Sequence, residues 1–132
     1  MTPPLRLIRA GELSGATAQT SGMTRSAAIS GALTGARSLW MGQTVLPARV
    51  SSGDHHHGAS ETGIFVVSGR PVFVYRDEQW GKLVRLEPEP GDFIWVPPYV
   101  PHREENLSAG TDAVVVIARS TQEAIVVNLD RL

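Results

Sequence analysis

The chain has 132 residues, one domain's worth, and 42% of them are apolar, enough to bury a core without covalent staples. Twelve Lys and Arg against thirteen Asp and Glu leave a net charge of −1, so there is no basic footprint for nucleic acid or an anionic membrane. Cysteine is absent, which excludes disulfides, thiolate metal sites and cysteine nucleophiles. No apolar run approaches the roughly 18 residues of a membrane span. The start, Met1-Thr2-Pro3-Pro4-Leu5-Arg6, lacks the charged-then-apolar pattern of a secretory signal, so a soluble, cytoplasmic, single-domain protein is expected.

Glycine and proline together number 22, a turn-rich composition. Residues 11–37 stand apart, because 19 of these 27 positions are Gly, Ala, Ser or Thr. Residues 1–37 read as an N-terminal arm with few packing anchors, carrying a short helix around Met23–Ser30 with Thr24 as its N-cap. Such an arm could order on a partner subunit in a homodimer.

From Ser38 onward the signals are those of strands. Ser38–Leu46 is β-prone and stopped by Pro47. Ile64–Ser68 runs into Gly69, and Pro71–Tyr75 follows so closely that the two should pair through a tight turn. Asp77–Gly81 is a turn, Lys82–Leu86 alternates as a strand, and Glu87–Asp92 is another turn. Phe93–Val96 is a short apolar strand ended by Pro97-Pro98; Ala113–Ala118 and Ala124–Asn128 complete the set. Short strands at this spacing, with no long amphipathic helix, predict an antiparallel sandwich or barrel over residues 38–132.

The chain has four histidines, and three are consecutive: His55, His56 and His57, with His102 far along the chain. Alternation in an extended segment puts His55 and His57 on one face and His56 on the other. Two imidazoles so placed make a clamp for a metal ion. Glu61 can come round a turn to add a carboxylate oxygen, and His102 can supply a further ligand from a neighbouring strand. Imidazole and carboxylate without thiolate suit one divalent transition ion: Fe, Mn, Ni, Co or Zn. His56 is expected beside the metal rather than on it, unless the loop exchanges its role with a neighbour.

The spacing resembles the two cupin motifs, G-x5-H-x-H-x(3,4)-E-x6-G and G-x5-P-x-G-x2-H-x3-N. The second reads here Gly91-x5-Pro97-x-Tyr99-x2-His102-x3-Asn106, with Tyr99 where the family has glycine. In the first, His55-x-His57-x3-Glu61 fits, but seven residues rather than six separate Glu61 from Gly69, and the upstream glycine position is Arg49. Counted back from Gly69 the carboxylate position falls on Thr62, so either Glu61 turns inward or the site holds only histidines. The resemblance spans about residues 38–120 and is greatest to small, single-domain, RmlC-like cupins. It implies an all-β, double-stranded β-helix (jelly-roll) barrel with the metal in its mouth, a small-molecule ligand and a homodimer.

Three functions fit this pattern. One is a metal-dependent enzyme of dioxygenase, isomerase or cyclase type. Another is a non-catalytic small-molecule or metal-binding module, and the last a metal-free sugar epimerase of the RmlC type. Phe65, Trp95, Tyr99 and Trp40 are pocket candidates, although aromatics in a small barrel are more often core. Asn106 is expected to tie down a turn, Gly69 and Gly91 to serve turns, and Arg103-Glu104-Glu105 to form a solvated loop.

Overall fold

Alternation organises the structure, a computed structural model that describes residues 2–132. In β2 (Trp40–Leu46), β8 (His102–Asn106) and β9 (Ala113–Arg119) every second side chain is buried. The other strands are β1 (Thr24–Ile29), β3 (His55–His56), β4 (Thr62–Ser68), β5 (Pro71–Asp77), β6 (Lys82–Leu86), β7 (Phe93–Val96) and β10 (Val127–Asn128). They form two five-stranded antiparallel sheets, ordered β1-β2-β9-β4-β7 and β10-β3-β8-β5-β6. Ile64, Val66, Val115 and Ile117 of the first sheet meet Phe73 of the second in one apolar cluster, closed by Trp40 and Val96. Full burial of such side chains contributes about 1.5–3 kcal/mol each. This is the antiparallel barrel expected from the strand spacing, in the jelly-roll form that the motif resemblance implies.

Four local expectations are corrected. Residues 24–29 form strand β1, not a helix, and pair with β2 in register Thr24↔Val45. The alternation that buries Arg25 and Ala27 decides for strand. The helix comes later and is one turn long, α1 (Gly31–Thr34), capped by the Ser30 hydroxyl, which accepts from Leu33 N at 3.1 Å. Second, β4 and β5 do not pair: β4 lies between β9 and β7, whereas β5 lies between β8 and β6. The chain crosses between sheets at Gly69, which has φ +81 and where a Cβ would lie 2.6 Å from Asp112 O. Third, Arg103-Glu104-Glu105 lies inside strand β8. Fourth, only Val127–Asn128 of the last apolar run is strand.

The segment preceding the barrel strands thus contributes β1 to a sheet edge within its own chain. Among the described residues no helix is long and apolar enough to cross a membrane.

Candidate metal centre

Strands β3 and β8 meet at a single register pair, His55↔His102. Alternation turns both rings into the barrel, and His57 follows one residue beyond β3 on the same side. All three are buried, at 0%, 3% and 3% exposure for His55, His57 and His102. One ring nitrogen from each lies within 4.8 Å of the others. Ring centroids are separated by 4.4 Å (His55–His102), 5.0 Å (His55–His57) and 5.1 Å (His57–His102).

The hydrogen bonds fix which nitrogen faces inward. Nδ1 of His55 lies 2.9 Å from Gly53 O, Nδ1 of His57 lies 3.0 Å from Ile125 O, and Nδ1 of His102 lies 3.0 Å from Val100 O. A carbonyl only accepts, so each Nδ1 carries the proton and each Nε2 keeps its lone pair. Nε2 of His55 and of His102 is buried without a partner. Unpaired buried acceptors are costly unless something binds them. Backbone-anchored Nδ1–H groups with free Nε2 lone pairs are also how metal-binding imidazoles are oriented. The three histidines therefore fit a divalent transition ion.

Burial also keeps the rings neutral, as ligation requires. Desolvation, then repulsion from His102, lowers the His55 pKa to about 3. Desolvation, then the positive Arg25 and Arg119, outweighs the Val100 hydrogen bond and lowers His102 to about 4. His57 is lowered further, by desolvation first and Arg119 second.

The other site candidates are distributed around this cluster. His56 points away, its Nδ1 accepting from Gly58 N at 2.9 Å. Glu61 is not among the converging groups: it is exposed, and its Oε2 accepts from Trp95 Nε1 at 3.1 Å. Thr62, the first residue of β4, faces inward instead, fully buried with an unpartnered hydroxyl. Phe65 lies on the opposite face of β4 from the buried Thr62, Ile64 and Val66 and packs against the Phe93 ring, tilted to it at 4.9 Å between centroids, so it does not line the interior. Tyr99 is exposed, its ring 6.0 Å from His56, and Trp40 is buried. Trp95, also exposed, borders a cavity of about 260 Å³ that reaches His102 between Phe73, Tyr75, Ile94, Val96 and Val100.

Tyr99 and Arg49, the two residues at motif glycine positions, both have φ +64, and among the described residues they are the non-glycine positions with positive φ. The backbone keeps the glycine-like conformation although the side chains differ, at a cost of about 1–2 kcal/mol each. Asn106 ties its turn as expected: Nδ2 donates to Leu46 O and Thr111 O, and Oδ1 accepts from Ser108 N.

Besides Arg25, two ionisable residues of the interior were given no site role by the sequence. Glu104 faces inward two residues after His102, and desolvation raises its carboxyl pKa to about 7 against the pull of Arg25 and Arg119. Arg119 ends β9 at 1% exposure. The period-2 signal held both: Glu104 shares a face with His102 and Asn106, and Arg119 with Ala113, Val115 and Ile117.

The Cupin domain family matches residues 42–118 by sequence. No curated protein matches. Among solved structures the chain is similar to the polyketide cyclase RemF from Streptomyces resistomycificus, at 17% identity and TM-score 0.72 over 96% of this chain and 86% of that one. It is similar to Peruvianin-I, a cysteine peptidase from Thevetia peruviana latex, at 16% identity and TM-score 0.73 over 90% and 77%. It is also similar to an oxalate oxidase in complex with the substrate analogue glycolate, at 16% identity and TM-score 0.71 over 88% of this chain and 59% of that one. Likeness at this identity establishes the fold. The sequence match runs from β2 to β9 and takes in every histidine of the cluster, more than half of the chain, so the chain belongs to the cupin family.

Proposed function

We propose that this cupin holds one divalent transition ion on His55, His57 and His102 and acts on a small organic molecule bound beside it. The observation that carries the reading is the set of three Nδ1–carbonyl hydrogen bonds, which leaves the Nε2 lone pairs turned inward. When bound, the ion supplies Lewis acidity toward a substrate oxygen and open coordination positions. The chain's own residues orient the imidazoles, keep them neutral and exclude bulk water. The 260 Å³ cavity at His102 gives a small molecule access, and its apolar walls favour a substrate with a hydrocarbon part.

An enzyme of dioxygenase, isomerase or cyclase type is the first reading, and a non-catalytic binding module the second. The metal-free epimerase reading has less support. It needs a histidine base held by an acidic partner, whereas all three Nδ1 atoms are held by backbone carbonyls. We also propose Thr62 rather than Glu61 as the group nearest the ion from β4, since Thr62 is the inward residue. We further propose a homodimer, checked by light scattering, and a cytoplasmic location, checked by cell fractionation.

Calorimetric titration of chelator-treated protein with Mn, Fe, Co, Ni and Zn tests the metal. The expected result is one ion per chain with a rise in thermal midpoint. No binding and an unmoved midpoint for every ion would overturn it.

A further inference from the structure

Arg119 is a buried cation that makes no ion pair or hydrogen bond among the described residues, although the buried Glu104 carboxyl attracts it from a distance. It is 1% exposed, and its Nε, Nη1 and Nη2 all lack a hydrogen-bond partner. Its one close contact of note is the Trp40 ring, whose centroid lies 4.8 Å below the guanidinium carbon. The other buried arginine differs. Arg25 donates Nη1 to Thr20 Oγ1 at 2.8 Å and to Ala18 O at 3.4 Å, and so is tied to its own segment. An Arg buried with five donors unused is costly unless an anion completes it. Even with its pKa lowered to about 9 by desolvation and Arg25, against the opposing pull of Glu104, Arg119 is charged at neutral pH. Two buried arginines face this one buried carboxyl, so the interior keeps an excess of positive charge.

The register says where that charge sits. Arg119 is paired with Trp40 on one side and with Thr62 on the other, and Thr62 is paired with Val96. All four are buried on the inner face of one sheet. The row thus runs from a wall of the cavity, Val96, through the unpartnered Thr62 hydroxyl to the guanidinium. Neighbouring side chains on one sheet face have Cβ atoms about 4.5–5.5 Å apart, so Thr62 and Arg119 can share a ligand. Arg119 also lowers the pKa of His57, which places its charge near the histidine cluster.

We propose that Arg119, with the Thr62 hydroxyl beside it, binds the carboxylate of a small organic acid, which supplies the anionic group that Glu61 withholds from the three-histidine site. This deepens the metal reading above by naming the substrate class. A planar guanidinium takes a carboxylate through two parallel N–H···O bonds, and Thr62 Oγ1 donates a third. The acid is small, since the cavity that leads toward the pair, bounded by Val96 and His102 and not by Thr62 or Arg119, is about 260 Å³, below the usual 300–1,000 Å³ of drug-sized pockets.

Two measurements with defined probes test this. Acetate and acetamide are titrated into metal-free and Co(II)-loaded protein at constant ionic strength, following Trp fluorescence and thermal midpoint. Acetate is expected to quench Trp40 and raise the midpoint; acetamide is not. Arg119→Met, close in length and uncharged, is expected to weaken acetate by roughly 10- to 100-fold, as loss of charged hydrogen bonds implies. Its Co(II) affinity is expected to stay within about threefold and its own midpoint to hold or rise, because a buried charge without hydrogen bonds has gone while Arg25 still faces Glu104. Should that variant not fold, Arg119→Lys, which keeps charge and loses the fork, is expected to weaken acetate as well. Equal response to acetate and acetamide, no response to either, or an unweakened acetate response in the folded variant would overturn the proposal. Acetate binding to a protein that takes up no metal would leave the anion site standing and remove the metal reading. Metal uptake without acetate binding would do the reverse.

Discussion

The inner faces of the two sheets carry different chemistry. On the β1-β2-β9-β4-β7 sheet the central inward residues are Gly42, Leu46, Ile64, Val66, Ala113, Val115 and Ile117, with Arg25, Thr44, Thr62 and Arg119 as the polar exceptions. On the facing sheet the inward residues of β3 and β8 are His55, His102, Glu104 and Asn106. Strand β8 alternates as β2 and β9 do, so between these strands the difference lies in what occupies the buried positions. The first sheet fixes the barrel through apolar contact, and the second hangs ligands on the frame so made. The site is precise because its side chains stand on strands or one residue beyond, and their Nδ1 nitrogens are held by backbone carbonyls.

That division predicts crossed effects. Ile117→Ala, at 2% exposure between β2 and β4, should cost about 2–5 kcal/mol in urea denaturation and leave metal affinity nearly unchanged in the folded fraction. His57→Ala and His102→Ala should each weaken metal binding by more than about 100-fold, because loss of a ligand exceeds the effect of losing its supporting hydrogen bond. His56→Ala should change it little. Equal loss across the three histidine variants would mean that alternation does not govern this segment.

Acid should sharpen the same contrast. In the metal-free protein His55 and His102 titrate near 3 and 4, far below their unfolded value of 6.5, and His57 is depressed too. Groups with lowered folded pKa values contribute stability that is full above the unfolded value and lost as pH falls. Glu104 acts oppositely: its pKa is raised to about 7, so folding takes up a proton there between 4.5 and 7. Three depressed histidines outweigh one raised carboxyl. Stability should therefore fall by about 2–3 kcal/mol per pH unit near pH 5, read as the urea midpoint. A flat profile from pH 6.5 to 4 would contradict the burial of these rings.

A smaller effect probes the loop that carries His102 in. Tyr99 has φ +64 and is 64% exposed, so Tyr99→Gly relieves strain and gives up little packing. The expected gain is about 0.5–1 kcal/mol in unfolding free energy, the relief of left-handed strain less the added chain entropy of glycine. A loss would mean that the Tyr99 ring near His56 holds the loop.

The strand spacing and the His-x-His pattern were legible because both follow from a period of two. So was the competition between Glu61 and Thr62, which seven rather than six residues before Gly69 makes visible. Strand β1 was not legible, since Thr24-Arg25-Ser26-Ala27-Ala28-Ile29 mixes small residues that serve either periodicity, and pairing with β2 decides it. Glu104 and Arg119 were missed because charged residues default to solvent. Only the inward phase of their strands, set by His102 and by Val115 and Ile117, reverses that default.

The central claim is that three Nε2 lone pairs meet at one ion. Long-range ¹H–¹⁵N spectra of histidine-labelled protein, before and after one equivalent of Zn(II), read it atom by atom. Before zinc, His55, His57 and His102 should show protonated Nδ1 and bare Nε2. After zinc, those three Nε2 signals should move together, with His56 unchanged. Nε2 signals that stay in place, or a shift confined to His56, would contradict the account.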